Sequence, residues 1–432
     1  LPLENTSHDP ANDYFADGLT DELIRNLAII DGLEVRSRTS SFGFKGRPHT
    51  IHEAGTQLQA DYILEGSVLR EGADVRIDAQ LVRVHDDHLL WSDKFHRGLT
   101  NIFAIQDEIA LAIVNNLRLK LGRGRRRYET NVEAYDLYLR GRAMPLLGRR
   151  DSDQRQAPIG MFQQAIAKDP GFAPAYGALA ARYAANSARG FREDHSDELT
   201  QMRTAAERAI QLDPLLAEAH QGLAMVYARD GQWAQSEKSF RRAIELDPSD
   251  SQTYLYFAIA FLLPLGRTDD ALSEIRIGEK MDPLSPDIQD AMGWALLTDG
   301  KYDEAATHCD RGSENLPCQA RVRLAQGRID EAIRILAAAS TPTELGYLGY
   351  AYGRAGRRAE AEKIAADVAF NAFSQALIFA GLGDKDRTLE ALERVIPLGA
   401  LRIGRALNDP EFAFLRDDPR AKALRKKVGL PQ

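Results

Sequence analysis

One spacing constrains this chain more than its composition does. Asp-Pro recurs at Pro214, Pro248 and Pro283, and Pro317 follows, so the intervals are 34, 35 and 34 residues. A period of that length describes one helix-turn-helix unit, too small to bury its apolar face alone, so successive units must stack into a superhelix. Proline closes each unit because it disfavours helix in the residue before it.

The unit beginning at Ala217, "AEAHQGLAMVYARDGQWAQSEKSFRRAIELDP", shows the physics. Leu223 and Tyr227 lie four apart on one face of a first helix, Gly231 ends it, and Phe240 with small Ala243 lets a second helix pack closely before Pro248. This pattern resembles the tetratricopeptide repeat, from which His220 and Ser236 depart. Gly293, Gly300 and Ala305 fill the same slots before Pro317, as do Leu348, Gly349, Tyr352, Gly356 and Ala361 further on. Earlier copies, "FQQAIAKDPGFAPAYGALA" and "AERAIQLDP", are separated by about ten extra residues that include "SARGFREDHSDE", expected to form a longer loop or extended helix. Only 25 residues separate Pro317 from Pro342, so "CQARVRLAQG" is expected to give a stunted first helix. Cys309 takes the slot that Phe240 fills two units earlier. Both cysteines, Cys309 and Cys318, read as core or surface thiols, too few for a disulfide framework and not spaced as zinc ligands.

Ahead of the repeats, "LEVRSR" and "DYILEGSVL" are short β-branched runs and "ADVRIDAQLVRV" alternates with period two. "FADGLTDELIRNLAII" and "FAIQDEIALAIVNNLRLKL" have helical spacing. The predicted order is β-α-β-α-β-β-β-α, a mixed sheet with antiparallel turns at "REGAD" and "HDDH". Leu1 to Leu3 are expected to be the remnant of a first, central strand, and a chain opening "LPLENTS" without methionine is expected to continue a longer one. The expected fold class is therefore an α+β N-terminal domain, a mixed sheet with helices, followed by an all-α tetratricopeptide-repeat superhelix. The expected boundaries are 1–121 for the α/β domain, 122–131 for a basic linker, 132–398 for about seven repeats with one degenerate near 318–342, and 399–432 for a C-terminal capping segment.

"YFADGLTDELIRNLA", "LEVRSRTSSFGFKG", "ADYILEGSVLREGADVRIDAQLVRV", "LLWSDKFHRGLTNIFAIQDEIALAIV" and "EAYDLYLRGR" resemble the TolB-N-like (FlgO-like) domain that precedes tetratricopeptide repeats in bacterial signalling proteins. The resemblance reaches the closing "GLGDKDRTLEALERV" and "DPEFAFLRDDPRAKALRKKVGLP". It implies the C-terminal regulatory region of a larger protein. The N-terminal effector of such proteins is a class III adenylate or guanylate cyclase, a CadC-type winged-helix transcription regulator or occasionally a kinase, often with a membrane span between. That arrangement implies the periplasmic face of a membrane-tethered parent, or the cytoplasm if the parent is soluble. The family usually turns its last hairpin with Thr-Gly and a histidine before Leu-Trp; here Asp86 and Asp87 hold the turn and Leu89 precedes Leu90 and Trp91. No role for that histidine carries over.

With 44% hydrophobic and 27% charged residues and a formal net charge of -8, the chain lacks the basic surplus of nucleic-acid binding. No window approaches 18 uncharged apolar residues, so a membrane anchor is expected only upstream. No GxxxxGK[ST], GxSxG, HExxH or strand-helix GxGxxG occurs, so neither an enzyme site nor a cofactor is expected in these residues. In "FADGLTDEL", Asp17 or Thr20 reads as a cap with Asp21 and Glu22 in the first turn, where carboxylates suit the helix dipole. His85, Asp86, Asp87 and His88, or His49 and His52, permit a metal on paper, but a hairpin tip and an exposed helix explain them, and no metal is expected. Arg123, Arg125, Arg126 and Arg127 in "GRGRRR" read as a solvated linker.

The concave surface of such a superhelix usually holds an extended or helical peptide. Phase places Met225 and Arg229 there in one unit, Ile259, Leu262 and Leu263 in the next, Trp294 with Leu297 in a third, and Tyr350 with Arg354 beyond the stunted unit. Apolar and aromatic, this lane resembles no carboxylate clamp; the alternative is packing against neighbouring helices or the α/β domain. The expected function is a non-catalytic regulatory scaffold that binds a protein or peptide partner, or forms a homo-oligomer, and signals to a missing effector. Two alternatives stand beside it: a cyclase parent, and a small-ligand or nucleotide site near Ser37 to Lys45, where Lys45 and Arg47 flank "SFGFKG".

Overall fold

A computed structural model describes the chain except for residues 8, 31, 73, 100–101, 118–129, 145–151, 189–195, 313–314 and 432. The arginines of "GRGRRR" and most of the insertion "SARGFREDHSDE" lie outside the described residues.

The first part runs β1 (Glu4–Asn5), α1 (Asp13–Ala28), α2 (Arg38–Phe42), α3 (Ile51–Leu58), β2 (Tyr62–Glu71), β3 (Asp74–Arg83), β4 (His88–Gly98) and α4 (Ile102–Leu117). The sheet order is β1-β2-β3-β4, with β1 parallel to β2 and the remaining pairs antiparallel. Period-two alternation in β3 turns Val75, Ile77, Ala79 and Leu81 inward, where with Val68 and Phe95 they meet Phe15, Leu19 and Leu23 of α1 and Ile102, Ile105 and Ile109 of α4. Asp78, Gln80 and Lys94 belong to the opposite, polar face. Gly72 (φ +64°) turns the first hairpin and Asp87 (φ +51°) the second, the left-handed conformation that aspartate tolerates better than most residues.

Two local expectations are corrected. "LEVRSR" forms no strand: Arg36 donates to the carbonyls of Leu58 and Gln59 at the end of α3, and the Ser37 amide donates to the Met281 carbonyl in the repeats. Its polar groups are satisfied by helices, so no ladder forms and the described sheet has four strands. Secondly, α1 begins at Asp13 behind a 3₁₀ turn, Pro10–Asn12, capped by Asp9. Asp17, Thr20, Asp21 and Glu22 therefore sit inside the helix and cap nothing.

Packed helix pairs follow: α5 (Val132–Ala143) with α6 (Ser152–Lys168), α7 (Ala173–Ala188) with α8 (Ser196–Leu212), and α9 (Ala217–Arg229) with α10 (Trp233–Leu246). Next come α11 (Ser251–Tyr256), prolonged by a π-helical turn Phe257–Leu262, with α12 (Thr268–Met281), then α13 (Pro286–Thr298) with α14 (Tyr302–Arg311) and α15 (Leu316–Ala325) with α16 (Ile329–Ile335). The last are α17 (Pro342–Arg354) with α18 (Arg358–Asp367) and α19 (Ala372–Gly381) with α20 (Lys385–Val395). The extra residues near 190 lengthen α7 and α8 to 16 and 17 residues, whereas α15 has only 10 and α16 only 7. Gly231, Gly266, Gly300, Gly327 and Gly356 adopt positive φ at equivalent turns, where a side chain would be strained.

Cys309 is fully buried in the slot that Phe240 fills earlier, yet the expectation of free thiols is corrected: Cys309 and Cys318 form a disulfide from α14 to α15. The small slot explains it, because both sulfurs rest on Gly293, where a Cβ would lie 2.5 Å from Cys309 Sγ and 3.0 Å from Cys318 Sγ.

After α20 the chain makes α21 (Ala400–Asn408), a 3₁₀ helix Pro410–Leu415 and α22 (Pro419–Lys427), and returns to the third helix pair, where the Trp233 indole donates to the Val428 carbonyl (3.1 Å). Among the described residues no helix is long and apolar enough to cross a membrane.

Candidate functional site

Each residue expected on the concave lane is placed by its first helix. Met225, Leu262, Leu263 and Leu297 are buried between units and Ile259 is half-buried there. Tyr350 is buried and accepts from Arg354 Nη1 (3.2 Å) one helical turn away. Arg229 and Trp294 face something else: the chain's own C-terminal segment.

That segment fits the lane at five points. Gly399, in a conformation only glycine takes readily (φ +118°), lies on Arg229; an added Cβ would stand 2.5 Å from Arg229 Cγ. Gly404 lies on Pro264, where a Cβ would stand 2.7 Å from the carbonyl oxygen. The Asn408 amide donates to the carbonyls of Leu263 (3.0 Å) and Pro264 (2.8 Å), just after the π-helical turn. The Arg405 guanidinium covers the Trp294 ring at 3.5 Å from its centroid, and the Trp294 indole donates to Asp409 (2.8 Å). Finally, Arg321 of α15 donates to Asp409 (2.8 Å) and to both carboxylate oxygens of Glu411 (2.7 and 2.9 Å).

The electrostatics of this contact are uneven. Burial alone would lower the Arg321 guanidinium, but Asp409 and Glu411 drive it well above its ordinary value. Arg405 lies further from a matching acid, and burial pushes it down to about 9 although Asp409 opposes the change. Burial, with repulsion from Arg229, lowers Arg402 to about 10. The seam thus contains one well-neutralised arginine and two that are held at a cost.

A second buried assembly joins the α/β domain to the repeats. Arg142 of α5 donates to Asp21 of α1 (2.6 Å) and Glu218 of α9 (2.8 Å). Arg25 meets Glu218 (2.6 Å) and Glu22 (3.4 Å), Arg38 meets Asp21 (3.6 Å), and the Tyr138 hydroxyl donates to Glu22 (2.6 Å). Burial pushes Asp21 and Glu218 upward, but the arginines win and hold both carboxyls below their ordinary range. In Glu22 burial wins and raises it. At the neighbouring loop, burial and the Asp247 charge raise Asp250 to about 6. Further along the same edge, the Ser40 hydroxyl donates to Asp282 (2.5 Å) and accepts from the Leu284 amide (2.9 Å). Arg142 and Glu218 did not stand out in the sequence; the available signal was two carboxylates, Asp21 and Glu22, on the apolar side of α1.

The α/β domain also carries a cavity of about 880 Å³ over the polar face of the sheet, lined among others by Asn5, Asp17, Lys45, Arg47, Asp78 and Lys94. Lys45 is paired with Asp17 (2.6 Å) and Lys94 with Asp78 (3.0 Å). Of the expected ligand segment, only its Lys45 end lines this space; Ser40 is turned to Asp282 of the repeats. His49 bonds the Arg47 carbonyl and packs on Phe44, and Asp86 pairs with Arg83. Among the described residues no three His, Cys, Asp or Glu side chains gather as a metal site.

Residues 1–112 match the family described as "HilA/YgeH-like transcriptional regulator, second domain", and residues 217–250 match the tetratricopeptide repeat. The N-terminal part of the chain is thus similar to a HilA-like domain, and a tetratricopeptide repeat is recognised after it. A protein of Rhizobium meliloti (strain 1021) named "Putative adenylate cyclase 3" is 36% identical over 230 residues, which are 52% of this chain. The match spans 39% of that relative's length. Among solved structures, a human IFIT1 dimer with PPP-AAAA is similar at a TM-score of 0.47 and 14% identity, covering 92% of this chain and 98% of that one. A tetratricopeptide repeat protein from Parabacteroides merdae gives a TM-score of 0.38 and 15% identity, covering 53% of this chain and 98% of its own.

Proposed function

We propose that the chain is a non-catalytic regulatory module that binds a protein or peptide partner through its repeats, or self-associates, and passes the outcome to an effector outside these residues. One observation carries this reading: the Arg142 cluster ties α1, α5 and α9 into one buried charge network, so a displacement in the repeats is felt by the α/β domain. A signal of this kind needs a partner with different affinity for two arrangements of the module. The finer reading is a TolB-N-like (FlgO-like) regulatory region attached to a class III cyclase or a CadC-type transcription regulator. The name of the Rhizobium relative supports the first effector and the HilA/YgeH-like match the second. A periplasmic position is supported by the Cys309–Cys318 disulfide, which suits an oxidising compartment.

The test is a crosslinked pull-down with the tagged chain, paired with light scattering across a concentration series. A specific protein partner or a reversible self-association is the expected result. Neither appearing would sink the reading. The cavity over the sheet favours a second reading, a small polar ligand; with its lysines already matched by acids, nucleotides are expected to leave the melting temperature unchanged while a zwitterionic ligand raises it.

A further inference from the structure

The polar face of the sheet is covered at one end only. Ala54 and Leu58 of α3 and Phe44 of the preceding loop close over Ile63 and Val84 in a small apolar cluster. The rest of that face is the floor of the cavity of about 880 Å³, a volume near the top of the range for small-ligand sites. Its walls are held without a ligand. Phe44 is buried, His49 packs edge-on against it (5.3 Å between ring centroids), Gly46 turns the loop at φ +68°, and Lys45 clamps Asp17 of α1. A site that is already shaped loses little affinity to ordering.

Pairing inside the cavity leaves a definite remainder of charge. Lys45 is matched by Asp17 and Lys94 by Asp78, whereas Arg47, which lines the same space, forms no ion pair among the described residues. Two acids have neutral amides for partners: Glu65 accepts from Gln80 Nε2 (2.5 Å) and Asp13 from Asn5 Nδ2 (2.7 Å). Exposed Glu4 adds a third carboxylate. The Leu1 amine near Glu65 is lowered by burial to about 6, so at neutral pH it supplies little charge. A nucleotide brings several negative charges to one unmatched cation, and a neutral sugar leaves both signs unmet. A ligand with a carboxylate at one end, an ammonium at the other and amides between meets them all, and a single amino acid fills only a fraction of the volume. We propose that the cavity binds a short peptide of a few residues with both ends free, its carboxylate on Arg47 and its ammonium on Glu65. Asp13 and Glu4 deepen the negative potential that favours the ammonium, and Phe44 and Pro48 add an apolar wall for a side chain. The inference rests on the second reading above, that this cavity takes a small polar ligand.

The test is isothermal titration calorimetry on the whole chain with a tetrapeptide of three alanines and one leucine, its C-terminal amide, its N-acetyl form, and maltotriose as a neutral ligand of similar size. The free tetrapeptide is expected to bind saturably, and each blocked form about tenfold or more weakly, because each loses a charge-assisted contact. Arg47→Ala is expected to erase the difference between the free peptide and its amide, and Glu65→Gln the difference between the free peptide and its acetylated form. These paired comparisons place the peptide in the cavity rather than on the repeats. Circular dichroism establishes that each variant is folded, and exposed Arg47 carries the test if Glu65→Gln does not fold. No saturable binding of the free tetrapeptide, equal binding of the blocked forms, or a difference that survives Arg47→Ala overturns the inference. In that event binding of maltotriose still supports the small-ligand reading, whereas binding of no probe refutes both.

Discussion

Replacing Arg142 by alanine probes the joint between the two parts of the molecule. Its guanidinium is 11% exposed and bridges Asp21 and Glu218, which are 5% and 13% exposed. The cluster pairs three acids, Asp21, Glu22 and Glu218, with three arginines, Arg25, Arg38 and Arg142, so the variant leaves one buried negative charge unmatched. Removing one partner of a buried pair costs about 3–5 kcal/mol. At about 2.1 cal/mol/K of unfolding entropy per residue, 432 residues give about 0.9 kcal/mol/K, so the melting temperature is expected to fall by about 4 °C. The pH dependence has a definite sign. Asp21 and Glu218 are held below their ordinary range, so their pairing stabilises at neutral pH and is lost as pH falls through those lowered values. Both lowered values lie below the ordinary carboxylate range, so the deficit of the variant should persist from pH 7 to about pH 4 and shrink only below that. Urea unfolding followed by circular dichroism and by the fluorescence of Trp91, Trp233 and Trp294 measures both quantities. A loss under about 1 kcal/mol at pH 7, or a deficit that has already vanished at about pH 5, refutes the reasoning.

Other outcomes follow from single contacts. Reducing the Cys309–Cys318 bond, which closes a separation of 9 residues, should cost about 2.5 kcal/mol on the chain-entropy account, read as the difference between melts with and without dithiothreitol. Asp250→Asn keeps the cap of α11 but removes the repulsion from Asp247 that, with burial, raises Asp250 to about 6; the variant should be more stable at pH 7 by about 1–3 kcal/mol, an advantage that fades between pH 6 and 4 as the native aspartate takes up its proton. Gly66→Ala would set a Cβ 2.0 Å from the Asp78 carbonyl across the ladder, and a loss of about 3 kcal/mol is expected in chemical denaturation, with the sheet-bound Trp91 signal changing first.

Local chemistry made part of this architecture readable before any coordinates. The prolines at 34 or 35 residues and the glycines before each second helix fix the phase of the repeats, because each acts on its own backbone within one turn. Period two in β3 fixed the buried face of the sheet for the same reason. What failed was contingent on distant parts. "LEVRSR" has strand composition, but Arg36 and Ser37 find their partners in α3 and at Met281. The signature "ADGLTDEL" looked like a helix start, and only the turn at Pro10–Asn12 shows that the helix is already under way. Cys309 was placed in its core slot, but its bond to Cys318 depends on how α15 stacks on α14. Trp294 and Arg229 were expected on the inner lane of their helices; that residues 399–411 contact them was invisible, since Trp294 and Asp409 are 115 residues apart.

An open solenoid evolves by copying a unit, because each repeat touches only its neighbours and the array simply grows longer. The return of Val428 to Trp233, across 195 residues, removes that freedom here. A duplicated unit between α10 and α21 would carry Gly404 past Pro264 and Asp409 past Arg321, while the α/β domain held Asp282 through Ser40 at its old place along the edge. Copy number in this superhelix is therefore set by ring closure, and length variation is expected at its outer loops rather than in whole repeats.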